Sequence, residues 1–318
     1  MYILNVLTPV FLVIALGAVL RRAKFVSDET LGGMSRLAYW VGLPCVLLLK
    51  VSKVSFDGGT SLDTFWLVLI GMLASLLAGA AVVLALRLPS RQVGAFIQAC
   101  FRGNLAFVGL PVVVSAFTVL PDAPGDALAR AEQMIAFTLG PIVPCYNIAA
   151  VLVLLACRHR LGARAVRTMI VQVVTNPLLV SCVAGVVLSL LGTWLDWYLP
   201  NPIVRTLNTV GQFALPVALL CVGGKIAATK IGGHVRLPAL AAVVKLTVGP
   251  VVGYFVAGWL GAGHVETAVA LIMLACPTAV ASYVLTEQLG GDASLSAGAV
   301  VVSTVLSVVA LGVVVTLI

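Results

Sequence analysis

The stretch Phe101-Arg102-Gly103-Asn104-Leu105-Ala106-Phe107-Val108-Gly109-Leu110-Pro111 decides how this sequence is read. It lies in an apolar segment running from about 91 to 117, which Arg102-Gly103-Asn104 interrupts. A second apolar segment, from about 265 to 288, is interrupted by Ala275-Cys276-Pro277-Thr278. In lipid, each freed backbone N–H or C=O costs several kcal/mol unless protein or a wet cavity satisfies it. A broken membrane helix therefore needs a reason. Paired breaks at corresponding places in two halves point to a binding site made from discontinuous helices.

Outward from these breaks the whole chain is apolar. Of its 318 residues 61% are hydrophobic and 9% charged, with a mean hydropathy of +1.16. Soluble chains carry about 25% charged residues, and apolar runs of about 20 residues span a bilayer. Ten spans are predicted, at about 3–20, 29–50, 63–86, 91–118, 131–157, 170–191, 203–225, 237–260, 265–288 and 294–317. The fold class is thus an all-α polytopic protein of the lipid bilayer, with no soluble domain. Ser27-Asp28-Glu29 reads as an N-cap before the second span. Pro121-Asp122-Ala123-Pro124-Gly125 ends the fourth, and Leu199-Pro200-Asn201-Pro202 precedes the seventh.

The net charge of +8 does not point to nucleic acid, because the basic residues are dispersed between apolar segments. The N-terminus lacks the basic start of a cleavable signal, since Arg21, Arg22 and Lys24 follow its apolar run. With the N-terminus outside, one set of loops holds Arg21, Arg22, Lys24, Arg87, Arg91, Arg158, Arg160, Arg164, Arg167, Lys225, Lys230 and Arg236. The opposite ends hold only Lys50, Lys53, Arg130 and Arg205. The positive-inside rule then puts both termini outside.

The two halves share short motifs. Thr8-Pro9 in the first span answers Asn176-Pro177 in the sixth, and Gly17 and Gly185 follow their prolines by eight residues. Leu43-Pro44 answers Leu215-Pro216 at an offset of 172, the offset that also relates Asn104-Leu105 to Cys276-Pro277. Residues 1–158 and 168–318 are therefore read as two five-helix repeats. An odd number of spans inverts the second copy, the architecture of many secondary carriers.

All eleven carboxylates fall in loops or near predicted helix ends, so the buried acid of a cation exchanger is missing. The charges left inside are positive. Arg102 sits at the first break, and Lys245 lies about 13 Å into the eighth span. Each costs at least ~2.5–3.5 kcal/mol at the bilayer centre. The expected partner is a bound anion or backbone carbonyls freed at the breaks. Asn104 is read as the cap of a half-helix over 105–117, and Thr278 as opening one that ends near Gln288. Half-helix N-termini are partially positive and donate N–H groups to anions. Asn147 and Tyr283 are the preferred polar candidates, ahead of Gln98, Tyr146, Ser282, Ser303, Thr304 and Ser307. The seven cysteines read as small buried hydrophobes, with Cys276 set apart by its place beside the second break. No HExxH, GxSxG or phosphate-binding loop occurs, and the three histidines lie in loops, so no enzyme, metal site or cofactor is expected.

The stretch 101–111, the stretch Cys276-Pro277-Thr278-Ala279-Val280-Ala281-Ser282-Tyr283 with Gly290-Gly291-Asp292, and Lys245-Leu246-Thr247-Val248-Gly249-Pro250 resemble signatures of the auxin efflux carrier family over essentially the full length. Arg158–Arg167 is short and basic where plant members carry a long loop, as in bacterial members labelled malonate or small-carboxylate transporters. The resemblance implies a fold similar to bile-acid/sodium symporters and sodium/proton antiporters. In it helices 1, 2, 6 and 7 form a scaffold, helices 3–5 and 8–10 a transport domain, and helices 4 and 9 cross at their breaks. It implies small organic anions as substrates, a bacterial inner-membrane location, a homodimer through the scaffold, and site positions Asn104, Pro111, Pro277 and Asn147. With Arg102, Lys245, Thr278 and Tyr283 these complete the candidate site. The rival readings are a cation/proton exchanger on the same fold, a membrane-embedded enzyme and a passive channel.

Overall fold

The structure is a computed structural model, and it describes residues 2–53, 62–119, 126–156, 167, 170–171, 174–228 and 235–317. The loop 121–125, Lys230, Cys157 and the inter-repeat stretch 158–166 lie outside the described residues. The helices are α1 (Tyr2–Arg22), α2 (Asp28–Leu37), α3 (Leu43–Val51), α4 (Asp63–Leu86), α5 (Ser90–Phe101), α6 (Leu110–Val119) and α7 (Ala127–Ala156). They continue with α8 (Pro177–Leu195), α9 (Asn201–Gln212), α10 (Ala214–Ala228), α11 (Arg236–Leu260), α12 (His264–Leu274), α13 (Ala281–Gln288) and α14 (Ala293–Leu317). Among the described residues eight helical stretches are long and apolar enough to cross a membrane. Leu105–Val119 and His264–Leu274 are shorter apolar pieces. The chain is a multi-pass helical membrane protein.

Local chemistry sets the boundaries. Ser27 caps α2, its side chain accepting from the Thr30 N–H, as the sequence indicates. α2 runs into α3 through a π turn, Ala38–Gly42. Pro44 lacks an N–H and cannot complete the i→i−4 ladder there. The sixth predicted span starts too early at 170. Residues 170, 171 and 174 are helical, but the chain turns at Thr175 and Asn176, and α8 begins anew at Pro177. Asn176 Oδ1 accepts from the Leu178 and Leu179 N–H groups, and proline at the first helical position fits that cap.

The helices sort into two compact units. The first comprises Met1–Thr64, Ala106–Pro144 and Val173–Ala228. In it α1 meets α10 with almost no side-chain spacer. A Cβ on Gly17 would collide with the Leu220 carbonyl, and one on Gly223 with the Ile14 carbonyl. Small residues permit this backbone approach where lipid supplies no hydrophobic drive. α8 approaches α3 likewise, for a Cβ on Gly185 would lie 2.8 Å from Val51 Cβ and 3.2 Å from the Leu48 carbonyl. Lys50 pairs with Glu132 in this unit. The second unit comprises Phe65–Leu105, Cys145–Gln172 and Thr229–Ile318. Here α11 packs on α5, α12 and α14, and both breaks lie within it.

A candidate site where two broken helices pair

The two interruptions are bonded to each other. α5 stops at Phe101, Arg102 turns extended (φ −76, ψ 94), and Gly103 forms an isolated antiparallel bridge with Thr278. The Asn104 N–H donates to the Pro277 carbonyl at 2.8 Å, and the Ala279 N–H donates to the Arg102 carbonyl at 2.8 Å. Each break thus satisfies the backbone groups that the other has freed. Pro277 needs no partner for an N–H it lacks.

Side chains brace the pair. Thr278 is fully buried; its Oγ1 donates to the Ala99 carbonyl at 3.0 Å and its N–H donates to Ser303 Oγ at 2.9 Å. Gln98 Nε2 donates to the Ser282 carbonyl at 2.9 Å. The Asp292 N–H donates to the Arg91 carbonyl, tying the start of α5 to the start of α14. Thr304 and Ser307 bond carbonyls of their own helix.

Two expected roles are corrected. The Asn104 side chain hydrogen-bonds none of the described residues and caps nothing; it is the backbone N–H of Asn104 that is used. The following half-helix enters through a π turn, Leu105–Gly109, rather than a capped α turn. Thr278 does not open α13, which starts three residues later at Ala281, because Thr278 is spent on the bridge.

Both cations inside the segments are buried. Arg102 is 8% exposed, and its Nη2 donates to Asn147 Oδ1 at 2.6 Å. Asn147 follows Pro144 and Tyr146 on α7, and the Tyr146 ring stands against Phe101 at 6.0 Å between centroids. Lys245 is 1% exposed, and its Nζ donates to the Leu274 carbonyl at 2.6 Å. Lys245 also lies beside the first break, for a Cβ on Gly103 would be 3.5 Å from its Cε and Nζ. The structure therefore joins Arg102 to Asn147, Asn104 to Pro277, Gly103 to Thr278, and Lys245 to both breaks. Tyr283 sits in the first turn of α13, and its hydroxyl interacts with Glu287 on the same helix rather than with the other candidates. Pro111 is buried in α6 and belongs to the first unit.

Among the described residues, Gln98 Oε1, Tyr146 OH and Ser282 Oγ in the second unit are buried without a hydrogen-bond partner. Sequence reading named these residues but not their shared state.

A family model described as membrane transport protein matches residues 2–156 and 159–315. The chain is also similar to an uncharacterized transporter, MJ1031, of Methanocaldococcus jannaschii. The two are 20% identical over 308 residues, covering 96% of this chain and 95% of that protein.

Proposed function

The chain belongs to the membrane transport protein family, that of the auxin efflux carriers, and on that premise we propose that it is a secondary carrier of small organic anions. Malonate or a similar carboxylate is the substrate, and alternating access is the mechanism. It is a transporter and not an enzyme.

One observation carries the anion reading. At the paired breaks a buried guanidinium donates from Nη2 to a neutral amide oxygen, Asn147 Oδ1. A neutral acceptor orients the Arg102 fork without adding a negative charge of its own. Guanidinium donors form a planar fork that matches a carboxylate. Arg102 and Asn147 are therefore the primary substrate residues in this reading. Asn104, with no side-chain bond of its own, and Tyr283 complete the set. Pro111, Pro277 and Thr278 shape the broken backbone, and Lys245 compensates charge at the break.

The rest follows the family resemblance. Helices 1, 2, 6 and 7 serve as scaffold, helices 3–5 and 8–10 carry substrate, and two scaffolds form a homodimer. The inverted five-helix repeat is supported by one packing equivalence. Gly17 meets the Leu220 carbonyl and Gly185 meets the Leu48 carbonyl, and these pairs exchange under the repeat offsets of 168 and 172. The protein sits in the bacterial inner membrane with both termini outside. A potential negative inside favours anion exit by ~2.3 kcal/mol per charge per 100 mV, so uncoupled transport exports.

The test is electrical. Purified protein on a solid-supported membrane is challenged with malonate, other small dicarboxylates and indole-3-acetate. A saturable current to one acid class is expected. Currents that appear only on sodium or pH jumps would overturn the proposal in favour of an exchanger.

A further inference from the structure

α12 ends at Leu274, inside the ninth apolar segment. The last four carbonyls of a helix lack intrahelical partners and carry partial negative charge. Here each of the four has an identified donor. The Leu271 carbonyl accepts from the Ala275 N–H at 2.9 Å, and the Met273 carbonyl accepts from the Cys276 N–H at 3.3 Å. The Ile272 carbonyl accepts from Cys276 Sγ at 3.2 Å. The fourth, Leu274, sits deepest in the break and accepts from the Lys245 ammonium at 2.6 Å. Half-helix C-terminal ends and unwound carbonyls are where secondary carriers coordinate a coupling Na⁺ or H⁺. In this chain that position is filled from within. The ammonium lies between the Leu274 carbonyl and Gly103, nearly sealed from solvent. Among the described residues no carboxylate is within ion-pair distance of it.

We propose that Lys245 is a resident cation, its tethered ammonium standing at the pairing of the two breaks where a sodium-coupled carrier would bind its ion. The inference rests on the carrier reading and deepens it. A fixed ammonium moves with its helix and returns with it, so transport proceeds without sodium. Lys245 is a positioning residue, because it holds the C-terminal end of α12 against the first break. Gly103 lies against the ammonium, for a Cβ there would sit 3.5 Å from it, in ordinary contact, and a side chain extending further toward Lys245 would crowd it.

The test reads cation dependence without using any carboxylate. Thermal unfolding of the purified protein is followed in sodium, choline and propylammonium chloride at equal ionic strength. The wild type is expected to melt at one temperature in sodium and choline. Lys245→Ala removes the three carbons and the nitrogen that propylammonium replaces. Its melting temperature in choline is expected to fall, then to rise by at least ~2 °C in sodium or propylammonium, as binding to the folded state alone requires. Lys245→Met fills the same space without charge and is expected to gain nothing from either cation. Should Lys245→Ala not survive purification, Lys245→Ser opens the same position and carries the same expectation. A wild type stabilised by sodium over choline would overturn the proposal. So would an alanine variant unmoved by both cations, since that behaviour belongs to a purely structural brace. Silence toward malonate in the electrical assay would count against the carboxylate reading alone.

Discussion

Replacing Asn147 with Asp tests the site most sharply, because stability and anion binding should move apart. Asn and Asp are nearly isosteric, and the Oδ1 that accepts from Arg102 Nη2 at 2.6 Å is kept. The exchange turns a charge–amide hydrogen bond into an ion pair. Fold stability should hold or rise, because the buried guanidinium gains a counter-charge. Substrate binding should suffer. A bound carboxylate on the other edge of the guanidinium would lie roughly 5 Å from the new carboxylate. At an effective dielectric of about 20 that like-charge repulsion is about 3 kcal/mol. Allowing half of it for relaxation still leaves a loss in affinity of at least about tenfold. The assay pairs melting temperature in detergent with the half-saturating substrate concentration of the solid-supported-membrane current. A variant that keeps its melting temperature and its half-saturation would refute the reasoning, because Arg102 would then be facing something other than substrate.

Two further perturbations probe the frame. Thr278→Val preserves shape but deletes the donor to the Ala99 carbonyl; stability should fall by about 0.6–1.5 kcal/mol, read as a lower melting temperature, and an unchanged value would remove Thr278 from the brace. Gly223→Ala drives a Cβ into the Ile14 carbonyl and should lower folded yield and melting temperature severely, whereas Gly258→Ala meets nothing within 4 Å and should be neutral or stabilising by up to about 1 kcal/mol. Equal behaviour of the two glycine variants would contradict the close packing of α1 on α10.

The breaks were legible because their causes are local. Gly103 and Pro277 weaken a helix whatever surrounds them, and Arg102 and Lys245 stand out in apolar runs. Ser27 before Asp28 and Glu29 announced its helix for the same reason. What stayed hidden was the choice of partner. Nothing near Asn104 says that its backbone N–H, not its amide, will be used, and nothing near Thr278 names the Ala99 carbonyl. Those identities depend on which segment arrives within 3 Å, a tertiary fact. The early start predicted for the sixth span has a similar origin. Ile170, Val171, Val173 and Val174 continue the hydropathy signal, while Asn176-Pro177 restarts the helix. The π turn at Ala38–Gly42 follows from Pro44, but its length was not readable from composition.

Arg102 and Lys245 illustrate how a site's charge is decided by the partner rather than by the cation. Both are long basic side chains beside the breaks, Arg102 at the first break and Lys245 on the continuous helix α11. Lys245 reaches a backbone carbonyl at the negative end of α12, so its charge meets the helix dipole and is largely absorbed by structure. Arg102 is gripped by an amide on α7, which supplies direction but little counter-charge. Burying a positive charge in an apolar segment is costly. In the carrier reading, a carboxylate arriving at the guanidinium offsets part of that cost as it binds. An acid in place of Asn147 would offset that cost permanently and compete with an arriving anion for the same guanidinium.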